Sequence, residues 1–89
     1  MFKDAPNTMV ITTQKVISKK ASILIVFHDE DDGMWQFLDG NVTDEKEAAI
    51  VSLAEILTID STINSISDLP LGWVAWRENG KTKWESQVQ

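Results

Sequence analysis

The chain has no cysteine, a single histidine and only eight basic residues against fourteen acidic ones. Lacking cysteine, it can build no disulfide framework, no thiolate nucleophile and no Cys-based zinc site, and it suits a reducing compartment. His28 has no Gly-x-Ser-x-Gly elbow, His-Glu-x-x-His helix or phosphate-cradling glycine loop beside it. With no nucleophile–base pair and no strong metal motif, neither enzyme activity nor a cofactor is expected. A net charge of −6 and a pI near 4.5 speak against nucleic acid as a partner, since phosphate binding needs a basic surface. Only Lys15, Lys19 and Lys20 cluster, and they read as a solvated turn. The longest apolar run, Ile23 to Phe27, is far too short to span a bilayer, and the N-terminus shows no charged-then-apolar signal pattern. A cytoplasmic location without membrane contact is therefore expected.

What is present is globular in character. Hydrophobic content of 43% and charged content of 25% suit a folded chain, whereas a disordered acidic tail would lack the Ile, Leu, Val and Trp found here. The 89 residues suit one domain, which at this size buries roughly 60–65% of its unfolded surface. Residues 1–8 carry little periodic apolar signal and read as a flexible lead-in to a single domain over 9–89. The acidity is concentrated between His28 and Glu47, where Asp29, Glu30, Asp31, Asp32, Asp39, Asp44, Glu45 and Glu47 face only Lys46. That stretch carries −7 and the rest of the chain +1.

Periodicity places the elements. Met9 to Thr12 is β-prone, Thr13 can cap a short helical turn carrying Val16 and Ile17, and Ser18-Lys19-Lys20 ends it. Ser22 to His28 is the clearest strand and is apolar on both faces, which suits a central strand covered on both sides. Asp32-Gly33 suits a tight hairpin with Met34 to Leu38 as the returning strand, Trp35 and Phe37 on one face, and Asp39-Gly40-Asn41 as its stop. Residues 44–60 have two readings. Asp44 with Glu47 would box one long helix, while Ser52 with Glu55 would start a shorter helix after a strand over 48–51; strand then helix is preferred. Asp60 or Ser61 then caps a short helix through Ile66, and Leu69-Pro70-Leu71-Gly72 is a turn. Trp73 to Glu78 and Lys81 to Ser86 flank Asn79-Gly80, the preferred pair for a two-residue type I′ hairpin. The sum is an α+β fold: a mainly antiparallel sheet of about five strands with two or three short helices.

Five elements carry a family resemblance: Ile11-Thr12-Thr13 with Val16, the Asp32-Gly33-x-Trp35-x-Phe37-x-x-Gly40 hairpin, Val51-x-Leu53-x-x-Ile56, Asp60 with Ile63, and Leu69-Pro70-x-Gly72. In order and spacing they resemble, over roughly residues 9 to 78, a family of small bacterial domains that includes immunity protein 33-type proteins of toxin–immunity gene clusters. The resemblance implies binding and neutralisation of a toxin, with no catalytic residues to carry across, and it supports strand then helix in 48–58. The sequence departs from it in having His28 where an arginine is expected, and it offers no charged pocket to transfer.

The candidate partner-binding residues are Asp29, Glu30, Asp31 and Asp32 at a hairpin tip and Trp73, Trp76 and Trp84 near the end of the chain. The four acids run consecutively before Gly33, unlike an EF-hand, whose ligands alternate over about twelve residues, so no metal is expected there. Trp73 and Trp76 fall on opposite faces of one strand, and Trp84, between Lys83 and Glu85, is the best candidate for an exposed anchor. Together these favour a protein-binding, immunity-type domain that meets a basic partner such as a toxin domain and is itself a monomer or weak homodimer. Two alternatives stand beside it: a small-ligand or enzymatic domain using His28 with Asp29 or Glu30, and an accessory module dimerising through its edge strand and tryptophans.

Overall fold

Six short strands build one mixed sheet in the computed structural model, which describes residues 2–40 and 45–89. In chain order they are β1 (Met9–Thr13), β2 (Ile25–His28), β3 (Trp35–Leu38), β4 (Ala48–Ser52), β5 (Trp73–Trp76) and β6 (Glu85–Val88). Helix α1 (Gln14–Ile17) follows β1 and α2 (Leu53–Ile59) follows β4, with 3-10 turns at Glu45–Glu47 and Ser61–Ile66. The spatial order is β4-β1-β3-β2-β5-β6. The α+β class is as expected, but the sheet has six strands and is mixed. β3 folds back from β2 into the slot beside β1 and so runs parallel to it, while every other pair is antiparallel.

Short polar side chains set the element boundaries. Thr13 ends β1 and caps α1, its Oγ1 accepting the Val16 N–H at 3.2 Å, and Lys19 (φ 63°) then reverses the chain in the left-handed region. Ser52 does the same for α2: the Glu55 N–H donates to its Oγ at 3.1 Å, and its hydroxyl donates to Glu55 Oε1 at 3.3 Å. Residues 48–52 pair with β1 along their whole length, so strand then helix is the arrangement adopted. Asp44, the cap of the rival long helix, lies outside the described residues, as does Asn41 of the expected strand stop.

The helices all lie on one side of the sheet. Val16, Leu53, Ile56, Ile63 and Ile66 pack into a single core with Val10, Val26, Trp35, Phe37 and Ala75 from the sheet. Thr12 joins them with its hydroxyl satisfied, donating to the Phe37 carbonyl at 2.7 Å. Phe2 belongs to this core too, with its ring edge-on to Trp35 at 5.0 Å and to Phe37 at 6.1 Å. The expected free lead-in is therefore anchored: Trp35 Nε1 donates to Asp4 at 3.3 Å, and the Pro6 and Thr8 carbonyls accept from Ala54 and Leu53 at the start of α2. Its sequence hides this because one phenylalanine has no period.

The opposite face corrects a second expectation. β2 is central, between β3 and β5, yet among the described residues no helix packs on its second face. Cross-strand partners share a face, so Ile50, Ile11, Gln36, Phe27 and Val74 form one row across the open side and Leu38, Ile25 and Trp76 a second. None of these residues packs with the helical core; Ile50 is 66% exposed, Val74 is buried, and Ile11, Gln36, Phe27, Leu38, Ile25 and Trp76 are half-buried.

β2 pairs with β3 and β5 with β6 as expected, but the last strand is Glu85–Val88 rather than Lys81–Ser86, and both turns differ. Between β2 and β3 the tip is Glu30–Gly33, four residues rather than two, closed by Gly33 N–H to Asp29 O at 2.9 Å and by Asp29 N–H to Met34 O at 2.8 Å. Gly33 does supply the left-handed residue (φ 71°). Between β5 and β6 the type I′ turn at Asn79-Gly80 does not form, because Gly80 has no positive φ and the turn centres one residue later. Asn79 uses its side chain instead, Oδ1 accepting the Lys81 N–H at 2.8 Å, while Thr82 Oγ1 accepts from Glu78 and Asn79. That moves the register by two residues, to Trp73↔Val88 and Trp76↔Glu85. Replacing Phe2 by Ala should lower unfolding free energy in urea by about 3 kcal/mol, as for other buried phenylalanines; a change near zero would mean the anchor is not held in solution.

Candidate functional site

The end of the sheet where β5 turns toward β6 is organised around Arg77, a residue the sequence reading passed over. Its side chain is 1% exposed. Nε donates to the Ile23 carbonyl at 2.9 Å, Nη1 to Thr62 Oγ1 at 2.9 Å and Gly80 O at 3.4 Å, and Nη2 to Asp60 Oδ2 at 2.7 Å. The guanidinium lies 4.2 Å over the Trp84 ring. Burial opposes ionisation of Asp60, but the Thr62 hydroxyl, the Arg77 guanidinium and the Thr62 N–H outweigh it and hold the carboxyl below its ordinary value. Only Asp60 was visible in the sequence, as a cap; nothing in the neighbours of Arg77 marks it as buried.

Beside this network a groove of about 870 Å³ runs between the Ser61–Ile66 turn and the β5–β6 hairpin. Trp73 and Leu69 line it on the apolar side, Lys81 and Lys83 on the polar side, and Ser86 of β6 forms part of its border. Trp84 lines it as well. Its indole Nε1 is the one buried side-chain polar atom without a hydrogen-bond partner among the described residues.

The acidic tip sits at the other end of β2. Asp29 is half-buried and accepts from Gln36 Nε2 at 2.6 Å; Asp32 accepts the Met34 N–H at 2.9 Å; Glu30 lies against Gly72. Glu30, Asp31 and Asp32 are exposed. Together with Val88 and Gln89 the four acids border a shallow depression of about 370 Å³, and no basic side chain lines it. His28 does not join them. Its Nδ1–H donates to the Leu69 carbonyl at 2.7 Å and its ring stacks on Trp35 at 3.8 Å, a packed strand-end position.

The seven candidate residues thus fall in three places rather than one. Asp29, Glu30, Asp31 and Asp32 form the tip; Trp73, paired with His28, faces the helical side and the groove; Trp76, paired with Ile25, stands on the open face. Trp84 is not the exposed anchor its lysine and glutamate neighbours suggested, since it is half-buried beneath Arg77 ahead of β6. Comparison with family models, curated proteins and solved structures finds no match to this chain.

The Asp60–Arg77 pair has a pH consequence. A carboxyl with a depressed folded pKa contributes stability that is fully present above the unfolded pKa and is lost as pH falls through the folded one. Asp60→Ala should cost about 3 kcal/mol near neutrality, because Arg77 stays buried without its anion, and should flatten the acid limb of stability against pH. Urea titrations from neutral to acid pH check both; an unchanged limb would remove Asp60 from the account.

Proposed function

We propose that this chain is a protein-binding domain that docks its partner on the open face of the sheet and steers it there with the acidic tip. One observation supports this reading above the others. Phe27 beside the buried Val74 in one row, with Ile11 beyond Gln36, and half-buried Leu38, Ile25 and Trp76 in the next place apolar side chains on a face with no described helix over it. A sheet face left to water normally alternates to polar residues, and a contiguous apolar patch marks an interaction surface. The partner that fits carries an apolar surface bordered by Lys or Arg, and a basic toxin domain of the kind implied by the immunity-type resemblance is one such partner, met in the cytoplasm. Self-association through the same face is the second reading, favoured by the same apolar rows.

Trp76→Lys and Phe27→Lys, each compared with the wild-type chain as bait, should lose the partner while keeping the far-UV spectrum of the folded domain. Loss at a hot spot corresponds to roughly 2 kcal/mol or more and appears chiefly as faster dissociation. A partner retained equally by both variants overturns the reading. Reversal of Asp29, Asp31 and Asp32 to Lys should instead slow association by about an order of magnitude and weaken its salt dependence, since steering acts on the encounter and is screened over about 8–10 Å. Sedimentation equilibrium over a range of concentrations separates the second reading: a chain that remains monomeric has no homodimer to offer.

A further inference from the structure

β6 is an outer strand of the sheet, paired only with β5. The hydrogen bond from Gln89 N–H to Gly72 O at 2.9 Å fixes its parity, so that Glu85 and Gln87 turn their backbone groups toward β5 while Ser86 and Val88 turn theirs outward. Ser86 and Val88 also share a face with Ala75 and Trp73, the face on which the groove opens. A free strand edge and a groove therefore lie side by side. The groove has an apolar side in Trp73, Ile66 and Leu69 and a cationic side in Lys81 and Lys83, neither of which has an ion-pair partner among the described residues. One acid, Asp68, lines it as well, and the Arg77 charge is already matched by Asp60.

We propose that this edge is a docking site for an extended, acidic polypeptide segment that adds a seventh strand beside β6. Backbone pairing with Ser86 and Val88 supplies the hydrogen bonds, alternate side chains of the segment enter the groove against Trp73, and a carboxylate meets Lys81 and Lys83. The Trp84 ring lines the groove, so its indole N–H, which has no acceptor among the described residues, reports on occupancy. Charge sets the order of the occupant's residues: Lys81 and Lys83 favour an acid near Ser86, while Val88, which also borders the acidic tip, favours an uncharged residue opposite it. This site is separate from the open face.

The test uses the full isotope-labelled chain and three capped peptides: Thr-Val-Thr-Glu-Thr, which puts Val and Glu on one face, the same peptide with Lys in place of Glu, and the acidic peptide N-methylated at both Val and Glu. The acidic peptide should shift the Ser86 and Val88 amides and the Trp84 indole N–H saturably. The lysine peptide should bind about tenfold more weakly or not at all, with the order reversed in the Lys81→Glu, Lys83→Glu chain. N-methylation should abolish binding, as should Ser86→Pro, which removes an outward N–H while leaving the β2 and β3 amide signals in place. Trp76→Lys should leave peptide binding unchanged. No saturable shift, shifts that survive N-methylation, or shifts centred on Phe27 and Trp76 would each overturn the proposal.

Discussion

A buried guanidinium must have its donors met, and in this small acidic protein that requirement fixes how three stretches of chain come together. Arg77 reaches Ile23 at the approach to β2, Asp60 and Thr62 at the end of α2, and Gly80 in the hairpin loop, all from one planar group. A lysine could not substitute, because the bonds diverge in the plane of a rigid fork. The arrangement also extends into the hairpin. Past Trp76 the β5–β6 ladder stops, and residues 77–84 form a loop that carries Gly80 O to Arg77 and is closed by the Asn79 and Thr82 side chains.

The rest of the molecule is strongly sided. Helices and core occupy one face of the sheet and leave the other without a helix among the described residues, and the tight acidic tip and the Arg77 loop stand at opposite ends of β2 and β5. The tip gains its form from local bonds: Gly33 in the left-handed region, Asp32 holding the Met34 N–H, and Asp29 held by Gln36. Such bonds use part of the acidic cluster to shape the turn, while Glu30 and Asp31 stay with solvent. Surface chemistry therefore differs by face and by end.

Much of this was readable from residue order where a boundary depends on near neighbours. Thr13, Ser52 and Asp60 announce their caps within three residues, and the alternation of Trp35 and Phe37 announces their burial. The reading fails where a distant group decides. Asn79-Gly80 is a type I′ signal that loses to an Asn79 side chain bonded to Lys81 and to an arginine tied elsewhere. Phe2 looks detached because its partners are 33 and 35 residues away. The apolar alternation of β2 could not say that one face would stay uncovered, since that depends on where every helix lands. Trp84 looked exposed between two charges because its cover, Arg77, lies across the loop.

The insertion of β3 between β1 and β2 spreads the ladders of the sheet over the sequence. β2 and β3 are joined by a four-residue tip, and closing so short a loop costs little chain entropy. β1 instead meets β3 across 25 residues at Ile11↔Gln36 and β4 across 35 to 43, and β2 meets β5 across 45 to 51. Entropy for those distant closures must be lost before their contacts offset it, so the topology ties the folding rate to these pairings more than to the tip or the short helices.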